Sequence, residues 1–492
     1  MKFKKSLAVI LALLMLACTF VACAKPEDNG DQTTTTAPAQ STPDGGETTP
    51  AGGEQTEETT APKATLTVPE DLKYGDKTFT IFTWSNQTQW EWDSEEITGE
   101  LIDDAIYDRR MKTEIARGIK LEIVKEPGEW ENRNAFISKL AANVQAGSHA
   151  FDLVGQYTPA AAIGAMQGLY LPLGEIDHLD TAQAWWPGDI RESSAINGNL
   201  YFITGDITPT LVRNMGCILA NTNLSESFGI PDLYEIVDKG EWTLDKLLEL
   251  SLGQVSNLND GQQYYGFTIA NNVTYDNLFY GGGFKFVTAN TDGTISMSDD
   301  LYGEKLVKWF EKCQSMLRDN ADVELVAVND AFTGERSIFH LGSVADVQNY
   351  LKDVTFDFAI LPAPKYDTAQ AEYATIVGYW VSFYSIPLDA QDPAMSGAVL
   401  ETLGYYGAEC ITPAFYEEAF QYRYLGTENN ARMFDLLHDT LVYDTGRFFA
   451  DQLSCFSSFR KAASPTENWT SYVKGMKRVW DKNIGTIYDK LG

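Results

Sequence analysis

The stretch Lys77 to Trp84 reads KTFTIFTW and decides the class of fold, because it opens a regular alternation of strands and helices. Its β-branched and aromatic residues alternate with polar ones, which predicts a strand. After a polar loop, ELIDDAIYDRRMKTEIARG (100–118) predicts a helix that ends at Gly118. The apolar stripe of this helix is predicted to contain Leu101, Ile102, Ala105, Ile106 and Ile115.

The next segments continue the same order of elements. IKLEIVKE (119–126) predicts a strand, ENRNAFISKLAANVQAGS (131–148) a helix and FDLVGQ (151–156) a buried strand. A βαβαβ order produces a parallel sheet with right-handed connections and helices on its faces. Ligands of such sheets bind at the loops beyond the carboxyl ends of the strands. These loops are WSNQTQWEWDSEE (84–96) and GQYTPAA (155–161).

The rest of the chain predicts a second set of α/β elements. NGNLYFITGDIT resembles a hairpin around Gly198, EWTLDKLLEL a helix and YGFTIA a strand. RSIFHLGS, FDFAILPAP and VGYWVSFYSIP predict further strands, and a long helix closes the chain. Residues 64–492 exceed the usual size of one hydrophobic core, so two domains are expected.

The N-terminus has the pattern of an export signal. Lys2, Lys4 and Lys5 precede an apolar run from Ser6 to Ala22. This run falls short of the about 20 residues that a stable membrane span needs. Residues 1–22 are therefore predicted to be a signal peptide that is removed on export.

The end of the apolar run resembles a bacterial lipobox. Phe20-Val21-Ala22-Cys23 places a small residue before a cysteine, so lipid attachment at Cys23 is predicted; Cys18 and an ordinary cleaved signal are the alternatives. Residues 24–63 are rich in Thr, Pro, Gly and Glu and cannot bury enough apolar surface to fold. Residues 23–63 are therefore predicted to be an anchor cysteine followed by a disordered tether.

Charge and cysteine content exclude several classes of function. The net charge of −32 and pI near 4.4 argue against nucleic acid as a partner, because phosphates would be repelled. Cys217, Cys313, Cys410 and Cys455 show no CxxC or CxxH spacing, and the four histidines lie far apart, so neither a metal nor a cofactor is predicted. Whether these cysteines are free or paired stays open.

Four segments together resemble the maltose-binding-like family of extracellular solute-binding proteins, the receptors of ABC importers. They are GCILANTNLSESFGIPDLYEIVDKGEWTLDKLLEL (216–250), YGGGFKFVTANTDGTISMSDD (280–300), FTGERSIFHLGSVADV with FDFAILPAPKYD, and GYWVSFYSIP (378–387). Their order along the chain carries the resemblance more than any one of them.

The resemblance implies a periplasmic-binding-protein-like α/β fold with two lobes. Each lobe would be a mostly parallel sheet flanked by helices, and crossing hinge strands would join the two. Lobe one would comprise residues 64–213 plus 374–412, and lobe two residues 214–373 plus 413–492. Closure of the lobes around a ligand is a hinge motion.

The resemblance also implies a function and its partners. The chain would be a lipid-anchored receptor on the extracellular face of a bacterial membrane. It would bind a sugar, with an oligosaccharide expected, and deliver it as a monomer to the membrane subunits of an ABC importer. It would not be an enzyme.

The tryptophan-rich loop supplies the first ligand-binding candidates, because flat rings and planar polar groups suit the C–H faces and hydroxyl edges of a sugar. These are Trp84, Gln87, Trp90 and Trp92, with Asp93 and Glu95 beside them. Matching to the binding loops of the family implies further candidates: Gln156, Tyr157, Asp206, Tyr275, Ser343, Tyr379, Trp380, Phe456 and Arg460. For every one of these residues, packing in the core is the alternative.

Two other functions are considered beside the receptor. WEWDSEE (90–96) crowds carboxylates beside tryptophans, as the cleft of a glycoside hydrolase or another carbohydrate-active surface protein could. No G-x-S-x-G nucleophile elbow is present, and no pair of carboxylates at strand ends stands out. A passive surface or adhesion protein would lack the crossings between lobes.

Overall fold

The computed structural model describes residues 65–254, 262–270, 274–326, 328–415 and 428–492. The predicted signal peptide, the tether and Cys23 lie outside these residues and stay predictions. Lys63–Gly492 forms one compact unit, and the boundaries of the two lobes within it stay predictions as well.

The predicted βαβαβ unit forms a four-stranded sheet in the order β12-β3-β1-β2, which we call the first sheet. β1 (Lys77–Trp84) lies parallel to β2 (Ile119–Glu126) along its whole length and parallel to β3 (Leu153–Tyr157). The late strand β12 (Ser382–Ser385) pairs antiparallel with β3. The three early strands are confirmed, and the carboxyl ends of β1 and β3 lie at one edge of this sheet.

Helix α1 (Leu101–Arg117) ends as predicted at Gly118, whose φ of 58° suits a residue without Cβ. The predicted apolar stripe is wrong at Ile115, which is 70% exposed. The buried face continues instead through the polar residues Arg109 and Thr113. Arg109 can be buried because its guanidinium donates hydrogen bonds to the backbone carbonyls of Glu91 and Ile207.

A five-stranded second sheet has the order β10-β4-β9-β5-β8. Its strands are β4 (Gly216–Asn221), β5 (Tyr265–Ile269), β8 (Val323–Leu325), β9 (Ser337–Ser343) and β10 (Phe358–Leu361). β5 pairs parallel with β8 and β9, whereas β4 pairs antiparallel with β9 and β10, so this sheet is mixed. Two small ladders join β6 (Val287–Ala289) to β7 (Ile295–Met297) and β11 (Thr375–Ile376) to β13 (Leu441–Val442).

Helices cover both sheets. The remaining ones, in chain order, are α2 (Arg133–Ala146), α3 (Thr158–Met166), α4 (Gly188–Ser194), α5 (Pro209–Arg213), α6 (Thr222–Ser227), α7 (Leu233–Asp238), α8 (Leu244–Ser251), α9 (Tyr275–Gly281), α10 (Glu304–Asp319), α11 (Val328–Ala331), α12 (Val344–Tyr350), α13 (Pro393–Tyr406), α14 (Glu428–Asp439), α15 (Thr445–Phe448), α16 (Ala450–Leu453) and α17 (Trp469–Leu491). Among the described residues, no helix combines the length and the apolar character that a membrane span requires.

Three segments cross between the two sheets, and we call them the crossing segments. They are residues 214–216, 376–381 and 441–444. The first two contact each other: Met215 forms an antiparallel β-bridge with Val377, and the Gly378 amide donates to the Asn214 carbonyl at 2.8 Å. The second and third are held side by side by the parallel pair β11–β13. The strand predicted at 377–387 is therefore shorter than expected, because its first residues form a crossing segment.

The C-terminal part of the chain contacts strand β12 of the first sheet and helix α3, which lies on that sheet. Phe448 in α15 packs edge-on against Phe383 of β12, with ring centroids 5.1 Å apart. Near the end of α17, the Lys490 ammonium donates to the carbonyl of Met166 at 3.2 Å. Residues predicted to belong to lobe two thus also contact elements predicted to belong to lobe one.

Candidate ligand-binding site

A cavity of about 380 Å³ lies where the carboxyl end of β3, the start of β4 and the end of β9 meet the crossing segments, and we call it the ligand cavity. This size falls within the range usual for small-molecule sites. It is lined by Trp130, Tyr157, Asn214, Gly216, Thr274, Asp276, Asn277, Gly342, Ser343, Gly378, Tyr379, Trp380, Arg447 and Phe456. These residues come from both sheets, from two of the crossing segments and from the regions next to them.

One wall of the ligand cavity is aromatic. Phe456 packs between Trp130 and Tyr379, at ring-centroid distances of 4.6 and 5.0 Å. Tyr157 and Trp380 lie 6.1 Å apart, and Trp380 is 45% exposed although its surroundings are largely buried. An exposed indole at the edge of a cavity offers an apolar face to a flat partner.

A polar wall adjoins the aromatic one and is built on Asp276, at the start of α9. Its carboxylate accepts hydrogen bonds from Arg447 at 2.8 Å and from two nitrogens of Arg460 at 2.6 and 3.1 Å. All three side chains are almost wholly buried. Burial lowers the pKa of the Arg447 guanidinium, but the tyrosines and Asp276 around it raise that pKa by more. The Arg447 guanidinium therefore stays charged, and the cluster holds planar donors and acceptors beside the aromatic wall.

Arg447 also connects the two walls. Its Cζ lies 3.9 Å from the centroid of the Tyr379 ring, a cation–π contact. A further nitrogen of the same guanidinium donates to the Val377 carbonyl in the second crossing segment at 3.1 Å.

Burial raises the pKa of the nearby Tyr157 to about 12, so its hydroxyl keeps its proton at neutral pH and can donate to a ligand.

Gly216 makes room for the polar side chain of Asn277, and both residues line the ligand cavity. The Asn277 amide donates to the Gly342 carbonyl at 3.2 Å. A Cβ at Gly216 would lie 2.2 Å from the Asn277 amide oxygen, closer than any contact that real Cβ atoms make. Because Gly216 has no Cβ, the backbone at the start of β4 can lie close to the side chain of Asn277.

Five of the thirteen candidates from the sequence line the ligand cavity. They are Tyr157, Ser343, Tyr379, Trp380 and Phe456. Two others support it from behind: Arg460 holds Asp276, and the fully buried Trp84 packs 5.7 Å from the Trp380 ring. Trp84 is fixed there by a 2.7 Å hydrogen bond from its indole to the Ser382 hydroxyl.

The other candidates do not line this cavity. Gln156 is buried in hydrogen bonds with Ser385 and Tyr170, and Asp206 accepts from Thr412. The last four are placed elsewhere: Trp92 and Tyr275 are in the core, while Gln87 and Trp90 are half-buried outside the cavity. Trp92 is held in the core by its neighbour Arg109, whose guanidinium lies 4.3 Å over the indole.

The carboxylates of the tryptophan-rich loop serve the fold rather than the cavity. Glu91 is buried and accepts hydrogen bonds from the hydroxyls of Thr210 at 2.9 Å and Tyr384 at 2.8 Å. Asp93 accepts from Thr88 and pairs with Lys125, and Glu95 is exposed. Among the described residues that line the ligand cavity, Asp276 is the only carboxylate.

The sequence reasoning missed several lining residues, Trp130, Asn214, Asp276, Asn277 and Arg447 among them. Asp276 follows a candidate directly in the chain, but the helix turns Tyr275 into the core and Asp276 toward the cavity. Trp130 lies in the loop just beyond the carboxyl end of β2, so the strand-end rule could have found it. Arg447 lies in a segment with no predicted strand end. Their place in the site follows from the tertiary contacts with Phe456 and Asp276.

Comparison with known proteins was made at the level of sequence and of structure. No protein-family model matches the sequence, and no curated protein matches it. Among solved structures, a cyclo/maltodextrin-binding protein in complex with maltotetraose has a TM-score of 0.57 at 14% identity, over 84% of this chain and 98% of that chain. A cyclic α-maltosyl-1,6-maltose-binding protein from Arthrobacter globiformis has a TM-score of 0.58 at 12% identity, over 83% and 99%.

A third similar structure is an ABC substrate-binding protein from Listeria monocytogenes in complex with cycloalternan. Its TM-score is 0.52 at 12% identity, over 83% of this chain and 99% of that chain. At these identities the similarity establishes the fold. The two-lobe α/β fold that the sequence resemblance implies is confirmed.

Proposed function

We propose that this protein is an extracellular receptor that binds a sugar, with an oligosaccharide expected, in the ligand cavity and delivers it to an ABC importer. The observation that carries the proposal is the pairing of an aromatic wall with the buried cluster of Asp276, Arg447 and Arg460. A pyranose ring has apolar faces and hydroxyl edges, and such a pocket can contact both. The fold shared with maltodextrin-binding proteins supports the same function.

The arrangement of carboxylates favours binding over hydrolysis. A glycoside hydrolase needs two carboxylates about 5 to 10 Å apart across the scissile bond. The described lining residues provide Asp276 alone, and two guanidiniums hold its oxygens. Since the guanidiniums fill three of about four acceptor positions, this carboxylate can accept about one further hydrogen bond from a hydroxyl.

The proposed function is tested by titrating a broad panel of oligosaccharides while intrinsic tryptophan fluorescence and heat of binding are followed. Saturable binding of at least one sugar is expected, with a change in fluorescence because Trp130 and Trp380 line the ligand cavity. The panel is also incubated and analysed for cleavage products. A panel without any saturable signal would contradict the receptor function, and cleavage would favour the hydrolase.

Replacing Trp380 with alanine is expected to weaken binding of such a sugar while the fold is kept. The ring is 45% exposed and so contributes less to the core than to the ligand cavity. A lost stacking ring should cost on the order of 1 to 3 kcal/mol of binding free energy, by analogy with base–aromatic stacking. Tyr302→Ala is the matched control, because this tyrosine is 38% exposed and does not line the cavity. Equal affinity of both variants would remove Trp380 from the site.

We further propose that lipid at Cys23 anchors the receptor to the outer face of the cell membrane, as the lipobox-like FVAC indicates. Cys23→Ala is expected to release the protein from the membrane fraction into the medium. The separate variant Cys18→Ala should leave it bound. Release by Cys18→Ala instead would assign the lipid to the earlier cysteine.

A further inference from the structure

The charges in the polar wall of the ligand cavity do not balance. Arg460 holds both oxygens of the Asp276 carboxylate, through its Nε at 3.1 Å and an Nη nitrogen at 2.6 Å. Arg447 donates to one of the same oxygens at 2.8 Å. Among the described residues, the ion pairs of both arginines end on Asp276. Two guanidiniums and one carboxylate leave one positive charge in excess.

Arg447 is the arginine that presents this excess charge to the ligand cavity. Arg460 pairs with Asp276 in a bidentate geometry and does not line the cavity. Arg447 lines it, and it is the only cation among the described lining residues. Its nitrogens donate to Asp276 and to the Val377 carbonyl, and a guanidinium carries more N–H donors than these two bonds use. Arg447 can therefore also donate to a ligand.

The groups around Arg447 do not supply the missing negative charge. Burial raises the pKa of Tyr379, so its ring stays neutral and meets the guanidinium through the cation–π contact alone. Asp444, which caps α15, accepts from the Tyr280 hydroxyl at 2.9 Å and from three backbone amides. The hydrogen-bond partners of Asp444 are thus these donors rather than an arginine. A ligand can supply the counter-charge that Arg447 lacks.

We propose that the sugar bound in the ligand cavity is acidic and that its carboxylate pairs with Arg447. The inference rests on the proposed function and narrows its substrate class to oligosaccharides that contain a uronic acid. A planar carboxylate matches the planar fork of a guanidinium, whereas the hydroxyls of a neutral sugar bring no charge. A buried cation without full compensation is unfavourable, and the carboxylate of the ligand would remove that cost on binding.

The aromatic wall supports the ring of such a sugar beside Arg447. The Tyr379 ring contacts both the Arg447 guanidinium, at 3.9 Å from Cζ to centroid, and the Phe456 ring, at 5.0 Å between centroids. A uronic acid keeps the apolar C–H faces of a neutral sugar and carries its carboxylate at the edge of the ring. Its face can therefore lie on the aromatic wall while its carboxylate contacts the adjoining polar wall.

The acidity of the whole chain does not oppose this preference. The net charge of −32 is dispersed along the sequence. At physiological ionic strength, exposed charges are screened beyond about 8 Å. Inside the ligand cavity the one described carboxylate, Asp276, is already paired with Arg460. Arg447 therefore sets the local charge that a ligand meets.

The test compares matched saccharides by calorimetry on the wild-type protein. The probes are the trimers of galacturonic, glucuronic and mannuronic acid, their methyl esters, and the neutral trimers of galactose, glucose and mannose. A methyl ester keeps the rings and linkages of the acid but carries no charge. At least one acidic trimer should bind about tenfold or more tightly than its ester and its neutral counterpart, a free-energy difference of about 1.4 kcal/mol.

Variants of Arg447 assign the preference to this residue. Arg447→Gln removes the cation and leaves Asp276 paired with Arg460, so the fold is expected to be kept. In this variant the ratio of affinities for acid and ester should fall toward one. Arg447→Lys keeps the charge without the planar fork and should retain part of the preference. Arg318→Gln is the matched control and should keep all of it, because this arginine is 45% exposed and does not line the cavity.

Each outcome of the test is decisive. Equal affinity of the wild-type protein for an acid and its ester, or binding of neutral sugars alone, would overturn the acidic preference and leave the receptor function in place. A preference that persists in a folded Arg447→Gln would overturn the role of Arg447. If that variant does not fold, the comparison of acid with ester on the wild-type protein still decides the substrate class. If neither these trimers nor the broad panel bind, the proposed function falls and this inference with it.

Discussion

Replacing Asp276 with alanine is expected to lower the free energy of unfolding by about 3 to 5 kcal/mol, the cost of leaving a buried charge without its partner. The carboxylate of Asp276 accepts from both Arg447 and Arg460. Neither guanidinium can reach water without rearrangement, because both are over nine-tenths buried. The variant would therefore hold two buried cations without the one carboxylate that pairs with them among the described residues. Urea denaturation followed by circular dichroism measures the change.

Asp451→Ala is the matched control for this prediction. Asp451 pairs with Arg133 at 3.2 Å, but both side chains are partly exposed. Such a pair contributes about 0 to 1 kcal/mol. If Asp276→Ala cost no more than Asp451→Ala, the cluster of Asp276 with two arginines would not be the buried charge network described above.

Replacing Glu401 with glutamine is expected to stabilise the protein progressively as the pH rises. Glu401 lies fully buried in α13 and accepts from the Trp186 indole at 3.0 Å and the Asp180 amide at 3.4 Å. Burial raises the pKa of its carboxyl from 4.5 to about 7. Between these two values the folded protein holds a proton that the unfolded chain has lost. The free energy of unfolding therefore falls as the pH rises through this window.

The size of the effect follows from the shift in pKa. The contribution of Glu401 should be fully present below pH 4.5 and lost above about pH 7, a difference of about 3 kcal/mol. The difference in free energy of unfolding between Glu401→Gln and wild type should grow by that amount over the window. Subtracting the two curves removes the titration of all other groups. A flat difference for Glu401→Gln would contradict the prediction.

The sequence predicted the elements of the fold because their patterns are local. The alternation in KTFTIFTW and the glycine after α1 report directly on strand pairing and on the end of a helix. Ile115 was placed wrongly because a buried polar residue breaks the apolar pattern. Arg109 occupies the core face through hydrogen bonds to Glu91 and Ile207, which lie in segments distant from it in the chain.

The candidate site was less predictable, since a tryptophan that packs and a tryptophan that binds have the same sequence signature. Trp84 and Trp92 are buried, while Trp380, in a different segment, faces the ligand cavity. The polar wall depends on the contact between Asp276 and Arg447. These residues lie far apart in the chain, so no local sequence pattern encodes their contact.

The three crossing segments have a mechanical consequence. Met215 and Gly378 tie the first to the second, and the β11–β13 ladder ties the second to the third. Strips fastened side by side bend easily across their length and resist torsion, because twisting would shear the bonds between them. We therefore expect the two sheets to move relative to one another mainly by bending of these segments.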